Sequence, residues 1–302
     1  DLMSLPEMVR ASARRPPEAA LIDFYGRRYS YAAVEAAADR FACGLRDLGI
    51  RRGDRVGLFL PNVPHYVAAY FGTLRLGAIV VNLSPLYSVE ELRLQIEDSG
   101  VRAMVTLDAR ALLPNALAVM RQTGIEHVIV GSIAGALPAA KSALYRLFNR
   151  RDIAERPHDP RLKRFSDVLA NDGGCPLADI DPINDVALIQ FTGGTTGLPK
   201  GATLTHQNLS ANARQVASVD PHSGSGERII GVLPLFHVFA NTVVMNRTVY
   251  MGGEIVMLPR FDAGQTLAAV DRTKPTTMPG VPTMYQALLD HPKVGKTDFH
   301  SL

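Results

Sequence analysis

The chain is predicted to be an α/β protein built on largely parallel strands, and three observations carry that prediction. Short apolar runs alternate with longer helix-patterned segments. Serines stand where those helices should begin and glycines where they should end. Finally, 47% of the 302 residues are hydrophobic against 20% charged. Strands that alternate with helices call for parallel pairing, because each crossover needs a helix to return the chain to the same sheet edge. This composition supplies a sizeable core and excludes global disorder. At roughly 150 residues per domain, the length fits one large domain or two ordinary ones.

Taken in order, Phe24 to Tyr31 (FYGRRYSY) predicts a hairpin turning at Gly26. Ser30 caps a helix from Tyr31 to Leu48, and Gly49 ends it. A strand follows from Arg55 to Leu60, a helix from Val63 to Leu76 ended by Gly77, and a strand from Ala78 to Asn82. Ser88 caps the amphipathic helix VEELRLQIEDSG, ended by Gly100. Arg102 to Leu107 is a strand, Leu112 to Gln122 a helix and Glu126 to Val130 a strand. Residues 133–181 break the rhythm. Within them, Lys141 to Arg164 is rich in Lys and Arg and interleaves Tyr145, Leu147 and Phe148 with the first charges. That segment reads as a solvated insertion or as a peripheral membrane-surface contact. Asp185 to Gln190 (DVALIQ) is a buried strand. Beyond it, strands are expected at 201–205, 228–233, 253–258 and 276–278, with helices at 207–219 and 263–272. A last helix opens at GVPTMY, Gly280 to Tyr285. No internal repeat is present.

Several classes are excluded. The formal charge of +3 is too small to argue for nucleic acid, and no basic stripe with interleaved aromatics is present. The opening DLMSLPEMVRASARRPPEAA lacks the basic-then-apolar order of a secretory leader. Val56 to Leu74 carries no charge, but Pro61, Asn62, Pro64 and His65 break it into strand, turn and helix rather than a membrane span. Cys43 falls in a helix-like apolar pattern and Cys175 in a loop beside Gly173, Gly174 and Pro176. Neither has a metal-ligand partner at useful spacing, so reduced thiols and a cytoplasmic setting are expected.

The stretch that carries chemistry is Phe191 to His206, FTGGTTGLPKGATLTH, directly after a strand. Gly193, Gly194 and Gly197 let the backbone turn several N–H groups towards one point. Thr192, Thr195 and Thr196 add hydroxyls, and Lys200 adds one mobile positive charge. Such a loop suits a polyphosphate. It is not the Walker pattern, because Pro199 precedes Lys200 and Gly201 follows it. A second constellation is PLFHVFANT, with His237, Val238, Phe239, Asn241 and Thr242. A third is MPGVPTMY, with Gly280, Val281, Pro282 and Thr283.

The loop with its preceding strand and terminal lysine resembles the phosphate loop of the adenylate-forming superfamily, which holds acyl-CoA synthetases, luciferases and peptide-synthetase adenylation domains. With LPLFHVF and GVPTMY added, the chain is most similar to bacterial long-chain fatty acid–CoA ligases. The resemblance implies the N-terminal part of that family's large domain, stacked mostly parallel sheets flanked by helices. It implies ATP, Mg2+ and coenzyme A as reactants with a fatty acid. Thr192 would contact the metal, and residues 193–197 with Lys200 would wrap the phosphates. His237, Val238, Phe239, Asn241 and 280–283 would line the acyl pocket, with His237 near the carboxylate or gating its tunnel. Amino-acid-activating relatives place Asp where His237 stands, so an acid without an α-amino group is expected. The later family motifs, aromatic-Gly-x-Thr-Glu, Thr-Gly-Asp and the lysine of a small C-terminal domain, are not in this sequence. The expectation is therefore an inactive N-terminal portion of an acyl-CoA ligase, with oligomers allowed. Activation of an aryl or medium-chain acid, transfer to a carrier protein, and a non-enzymatic phosphate- or acyl-binding module are the alternatives.

Overall fold

The computed structural model describes the chain except residues 1, 15, 17, 177, 193–198 and 221–225. Two sheets form the frame. The first is a hairpin of β1 (Ala20–Phe24) and β2 (Arg27–Ser30), turning at Tyr25 and Gly26, whose Cys-free apolar strand is buried along Leu21–Phe24. Ser30 then caps the helix Tyr31–Asp47 by accepting from the Ala33 N–H. β3 (Arg55–Phe59), β4 (Ile79–Leu83), β5 (Val101–Leu107), β6 (His127–Gly131) and β7 (Leu162–Arg164) follow, each pair separated by helix or loop. β3, β4 and β6 are buried at four of five positions, the near-continuous apolar run that a parallel strand covered on both faces requires. β8 (Val186–Thr192) and β9 (Lys200–Thr205) close this sheet as an antiparallel pair, and β10 (Arg228–Gly231) and β11 (Glu254–Met257) return to the first sheet.

The large sheet runs β7-β6-β5-β3-β4-β8-β9 and the small one β10-β11-β1-β2. All pairs are parallel except β1 with β2 and β8 with β9. One buried cluster joins residues of both sheets, and a smaller one lies between β10, β11 and the helix Ala263–Thr273.

Local chemistry explains the element ends. Ser88 and Glu91 form a capping box on the helix Val89–Ser99, and Gly100 closes it in the left-handed region at φ 65°. The expected 276–278 strand reduces to one parallel bridge, Thr277 to Ile229. The 133–181 region keeps more of the α/β rhythm than its charge predicts: β7 extends the parallel sheet beside β6, and Ala139–Phe148 is a helix with no buried residue. Leu144, Leu147 and Phe148 are exposed along one side of that helix. Among the described residues, no helix is long and apolar enough to cross a membrane.

The expected free thiols are corrected by the structure. Cys43, on the helix Tyr31–Asp47, and Cys175 form a disulfide. They are 132 positions apart, so no local pattern announces the pair. The fold joins them because Asn171 donates to Arg40 O at 2.9 Å, docking the 171–175 loop on that helix. Gly44 permits the approach: a Cβ there would stand 2.2 Å from Val168 O.

The N-terminal helix Leu5–Ala13 is pinned to the helix His206–Val219 by the Leu5 N–H, which donates to His206 Nδ1 at 3.4 Å. Only a neutral imidazole accepts that bond. Burial lowers the His206 pKa to about 4, against partial support for the cation from Asp185 and Glu7. A depressed histidine pKa means the unfolded chain binds a proton that the folded chain refuses. Stability is therefore full above about pH 6.5 and falls as pH drops towards 4, by about 3 kcal/mol at this residue. Urea unfolding at pH 7 and pH 4 should show that loss, and His206→Gln should remove it.

Candidate functional site

The expected phosphate loop springs from the β8–β9 hairpin. Thr192 and Lys200 pair across it, with Thr192 Oγ1 3.5 Å from Lys200 O, and both side chains are exposed. Gly193, Gly194, Thr195, Thr196 and Gly197 lie outside the described residues. Gly201 faces Phe191 across the ladder, and a Cβ on it would meet Ile189 Cγ2 at 2.9 Å. Glycine after the lysine thus lets β9 lie close over the apolar side chains of β8.

Below the hairpin lies a buried polar network. The Asn82 amide donates to Gln190 Oε1 at 3.1 Å. Tyr66 shares its single hydroxyl proton between Asn82 Oδ1 at 2.8 Å and Leu235 O at 2.9 Å. Asn241 Nδ2 donates to the Tyr66 oxygen at 3.4 Å, and Asn241 Oδ1 accepts from Tyr70 at 3.2 Å and from Asn246 at 2.9 Å. Asn62 donates to Gly231 O and Leu233 O and accepts from the Leu235 N–H at 2.8 Å. Burial holds the Tyr66 and Tyr70 phenols protonated, raising both pKa values. The network fixes residues 231–235, which follow β10, against strands β4 and β8 of the other sheet. Among these groups only Asn246 Oδ1 is buried without a partner, and a buried network this nearly complete makes the arrangement rigid.

The second constellation stands on that fixed segment. His237 precedes the short helix Val238–Ala240, and its carbonyl accepts from the Asn241 N–H at 2.9 Å. His237, Val238 and Phe239 are exposed; Asn241 is fully buried, its side chain spent on Tyr66, Tyr70 and Asn246. Asn241 therefore acts on this site through the frame. A π-helical turn, Asn241–Asn246, follows, a geometry frequent at functional sites. Although the residue as a whole is exposed, desolvation by its neighbours lowers the His237 pKa, which favours a neutral ring that offers a hydrogen bond rather than a charge.

The third constellation reaches the same end of the sheet. Thr277 runs parallel to Ile229 of β10, so the chain emerges past the carboxyl end of β10 at Gly280. Val281 caps the helix Pro282–Leu289, and Val281, Pro282 and Thr283 are exposed. The need for glycine at 280 is met within the chain: a Cβ would stand 3.0 Å from the Tyr285 ring, whose hydroxyl donates to Met278 O at 2.8 Å. Thr192, Lys200, His237–Phe239 and 280–283 thus all lie at strand ends on one side of the two sheets, where α/β folds bind ligands.

The network residues Asn62, Tyr66, Asn82 and Gln190 escape sequence reasoning. Their one signal is a polar residue inside an apolar run, as Asn82 in IVVNL. As for a metal, no group of three or more His, Cys, Asp or Glu that could hold one is present among the described residues. Mg2+ is bound mostly through carboxylates, water and substrate phosphates. The described residues offer it no carboxylate cluster of their own, and Thr192 brings only a hydroxyl.

Residues 9–302 match the profile of the AMP-binding enzymes. The chain is 36% identical over 304 residues to the long-chain-fatty-acid–CoA ligase of Bacillus subtilis, covering 99% of this chain and 54% of that protein. It is 34% identical over 310 residues to the protein of that name from Escherichia coli, with the same coverage. It superposes on the crystal structure of a long-chain-fatty-acid–CoA ligase from Archaeoglobus fulgidus with a TM-score of 0.81 at 26% identity, covering all of this chain and 56% of that one. The chain spans about half the length of the curated relatives it matches.

Proposed function

Because the chain belongs to the AMP-binding enzyme family, we propose that the whole protein activates a long-chain fatty acid with ATP, releasing pyrophosphate, and passes the acyl group from the adenylate to coenzyme A. The observation that carries this reading is the hydrogen-bonded path from Gln190 through Asn82 and Tyr66 to Leu235. It holds the phosphate hairpin and the His237 segment in one fixed relation. In-line attack of a carboxylate on the α-phosphorus needs that relation, because the reaction gains most from positioning and charge stabilisation.

Each role follows from chemistry. Lys200, exposed at the base of the hairpin loop, places a positive charge where the leaving phosphates gather negative charge. Thr192 offers a hydroxyl to the same group. Exposed Val238, Phe239 and Val281 form apolar surface for an acyl chain. Neutral His237 donates or accepts a hydrogen bond beside the carboxylate without trapping it as an ion pair. The absence of a carboxylate at 237 supports an acid without an amino group. Mg2+, when bound with ATP, would neutralise phosphate charge; no step here is assigned to it.

ATP–pyrophosphate exchange on the whole protein tests the reading, with palmitate, octanoate, 4-coumarate and amino acids as substrates. Palmitate should give the strongest exchange. Lys200→Ala should lower it about a hundredfold or more while leaving the unfolding midpoint unchanged. Unchanged exchange in that variant would remove Lys200 from the mechanism, and preference for coumarate would replace the substrate.

A further inference from the structure

We propose that the crevice at the carboxyl ends of β3, β5, β6 and β7 is a second ligand site, and that it takes an amphipathic organic anion: an apolar body with a carboxylate head. A cavity of about 610 Å³ lies there. That is within the range of roughly 300–1,000 Å³ typical of small-molecule sites.

Topology puts the cavity where a doubly wound sheet opens. From β3 the chain crosses to β4 on one side, and from β5 to β6 on the other. The two connections diverge and leave a gap at the strand ends, the usual ligand position in such sheets. Every strand of that half contributes: His65 follows β3, Asp108 follows β5, Gly131 ends β6, Arg164 ends β7 and Phe165 follows it. The phosphate hairpin stands on β8 and β9, and β4 separates it from β3, the nearest strand of the cavity, so this site is distinct from the one proposed above.

The lining sets the ligand's chemistry. Val34, Ala37 and Ala68 from two helices and Leu169 make apolar walls, and the small alanines leave the room. The His65 ring stacks edge-on against Phe165 at 4.8 Å, and its Nδ1 is buried without a hydrogen-bond partner. Burial and the nearby Arg27 charge lower its pKa to about 4, so the floor carries no charge at neutral pH. The charged side chains of the lining are mostly basic. Arg27, Arg156 and Arg164 line the cavity with one carboxylate, Asp108, which already accepts from the Ile133 N–H at 3.1 Å. Neither Arg156 nor Arg164 has an ion-pair partner among the described residues. Arg27 donates to Gly135 O, and Tyr29 to Ala136 O, which ties the 135–136 backbone to the rim without neutralising the arginine. Charge complementarity thus calls for an anion, and the walls for an apolar body behind it.

Titration of the 302-residue chain with octanoate, octanol and inorganic phosphate, followed at the His65 ring by NMR, tests this. Octanoate should shift His65 saturably. Octanol should need at least tenfold more, and phosphate should leave it unmoved. Arg164→Gln, at the exposed rim, should weaken octanoate about tenfold without changing the unfolding midpoint, and Ala37→Trp should abolish the response. Equal binding of octanol, a saturable response to phosphate, or no saturable shift with octanoate would overturn the proposal. So would an octanoate response that moves His237 instead and survives Ala37→Trp, because the fatty anion would then sit on the acyl-side residues.

Discussion

Arg247→Ala is expected to lower the unfolding free energy by about 3–5 kcal/mol, because it strands a buried carboxylate. The Arg247 side chain is 2% exposed and that of its partner Glu227 1%. Arg247 Nη1 donates to Glu227 Oε1 at 2.7 Å, and its other nitrogen pairs with Asp220. Glu227 Oε1 also accepts from Thr277 Oγ1 at 2.9 Å, while its Oε2 is buried with no partner. Alanine removes the cation and leaves the anion where water cannot reach it. Pairing Arg247→Met with Glu227→Gln should recover much of the loss, since the cost comes from the unpaired charge rather than the missing bond. Urea unfolding of the three variants decides it; a loss below 1 kcal/mol in Arg247→Ala would mean that Glu227 finds water or another partner. The pair also has a site consequence. Arg247 follows the π-turn after His237, and Thr277 leads to Gly280, so one buried ion pair braces both segments proposed to line the acyl pocket.

The second large effect belongs to the disulfide. Closing a loop of 132 positions restricts the unfolded chain by about 5 kcal/mol on the chain-entropy relation. Cys43→Ser with Cys175→Ser, or reduction of the parent, should lower the urea midpoint accordingly. Thiol labelling in denaturant without reductant should find no free cysteine. Two labelled thiols would overturn the pairing and restore the reduced setting that the sequence suggests.

The contrast between those cysteines and the helix caps shows what a sequence discloses. Ser30, Ser88 and Gly100 act on atoms within a few residues, and their roles are readable from spacing alone. Cys43 and Cys175 act on each other across most of the large sheet. Likewise β1 reads as a strand, but nothing local says that it pairs with β11 rather than β3. The same division runs through the site. Thr192, Lys200 and His237 stand in contiguous motifs, so a role can be proposed for each from its neighbours in sequence. Asn62, Tyr66, Asn82 and Gln190 come from four elements, and each is unremarkable until the fold brings their polar atoms within hydrogen-bond reach. Asn241 shows the reverse: its motif suggests a pocket residue, and its neighbours claim its amide.

The parallel pairing of β1 with β11, Ile22 beside Ile255, has a consequence for biosynthesis. At about 5–20 residues per second, β1 leaves the ribosome roughly 12–50 seconds before its partner exists. Through that interval the β1–β2 hairpin holds an apolar strand with one open edge, the arrangement most prone to pair with a neighbouring chain. The large sheet, complete by Thr205, can assemble meanwhile. The small sheet thus forms after the large one and is the part of the two that a chaperone would most need to shield. Slowing translation before residue 254 should raise aggregation, whereas slowing it after 257 should not.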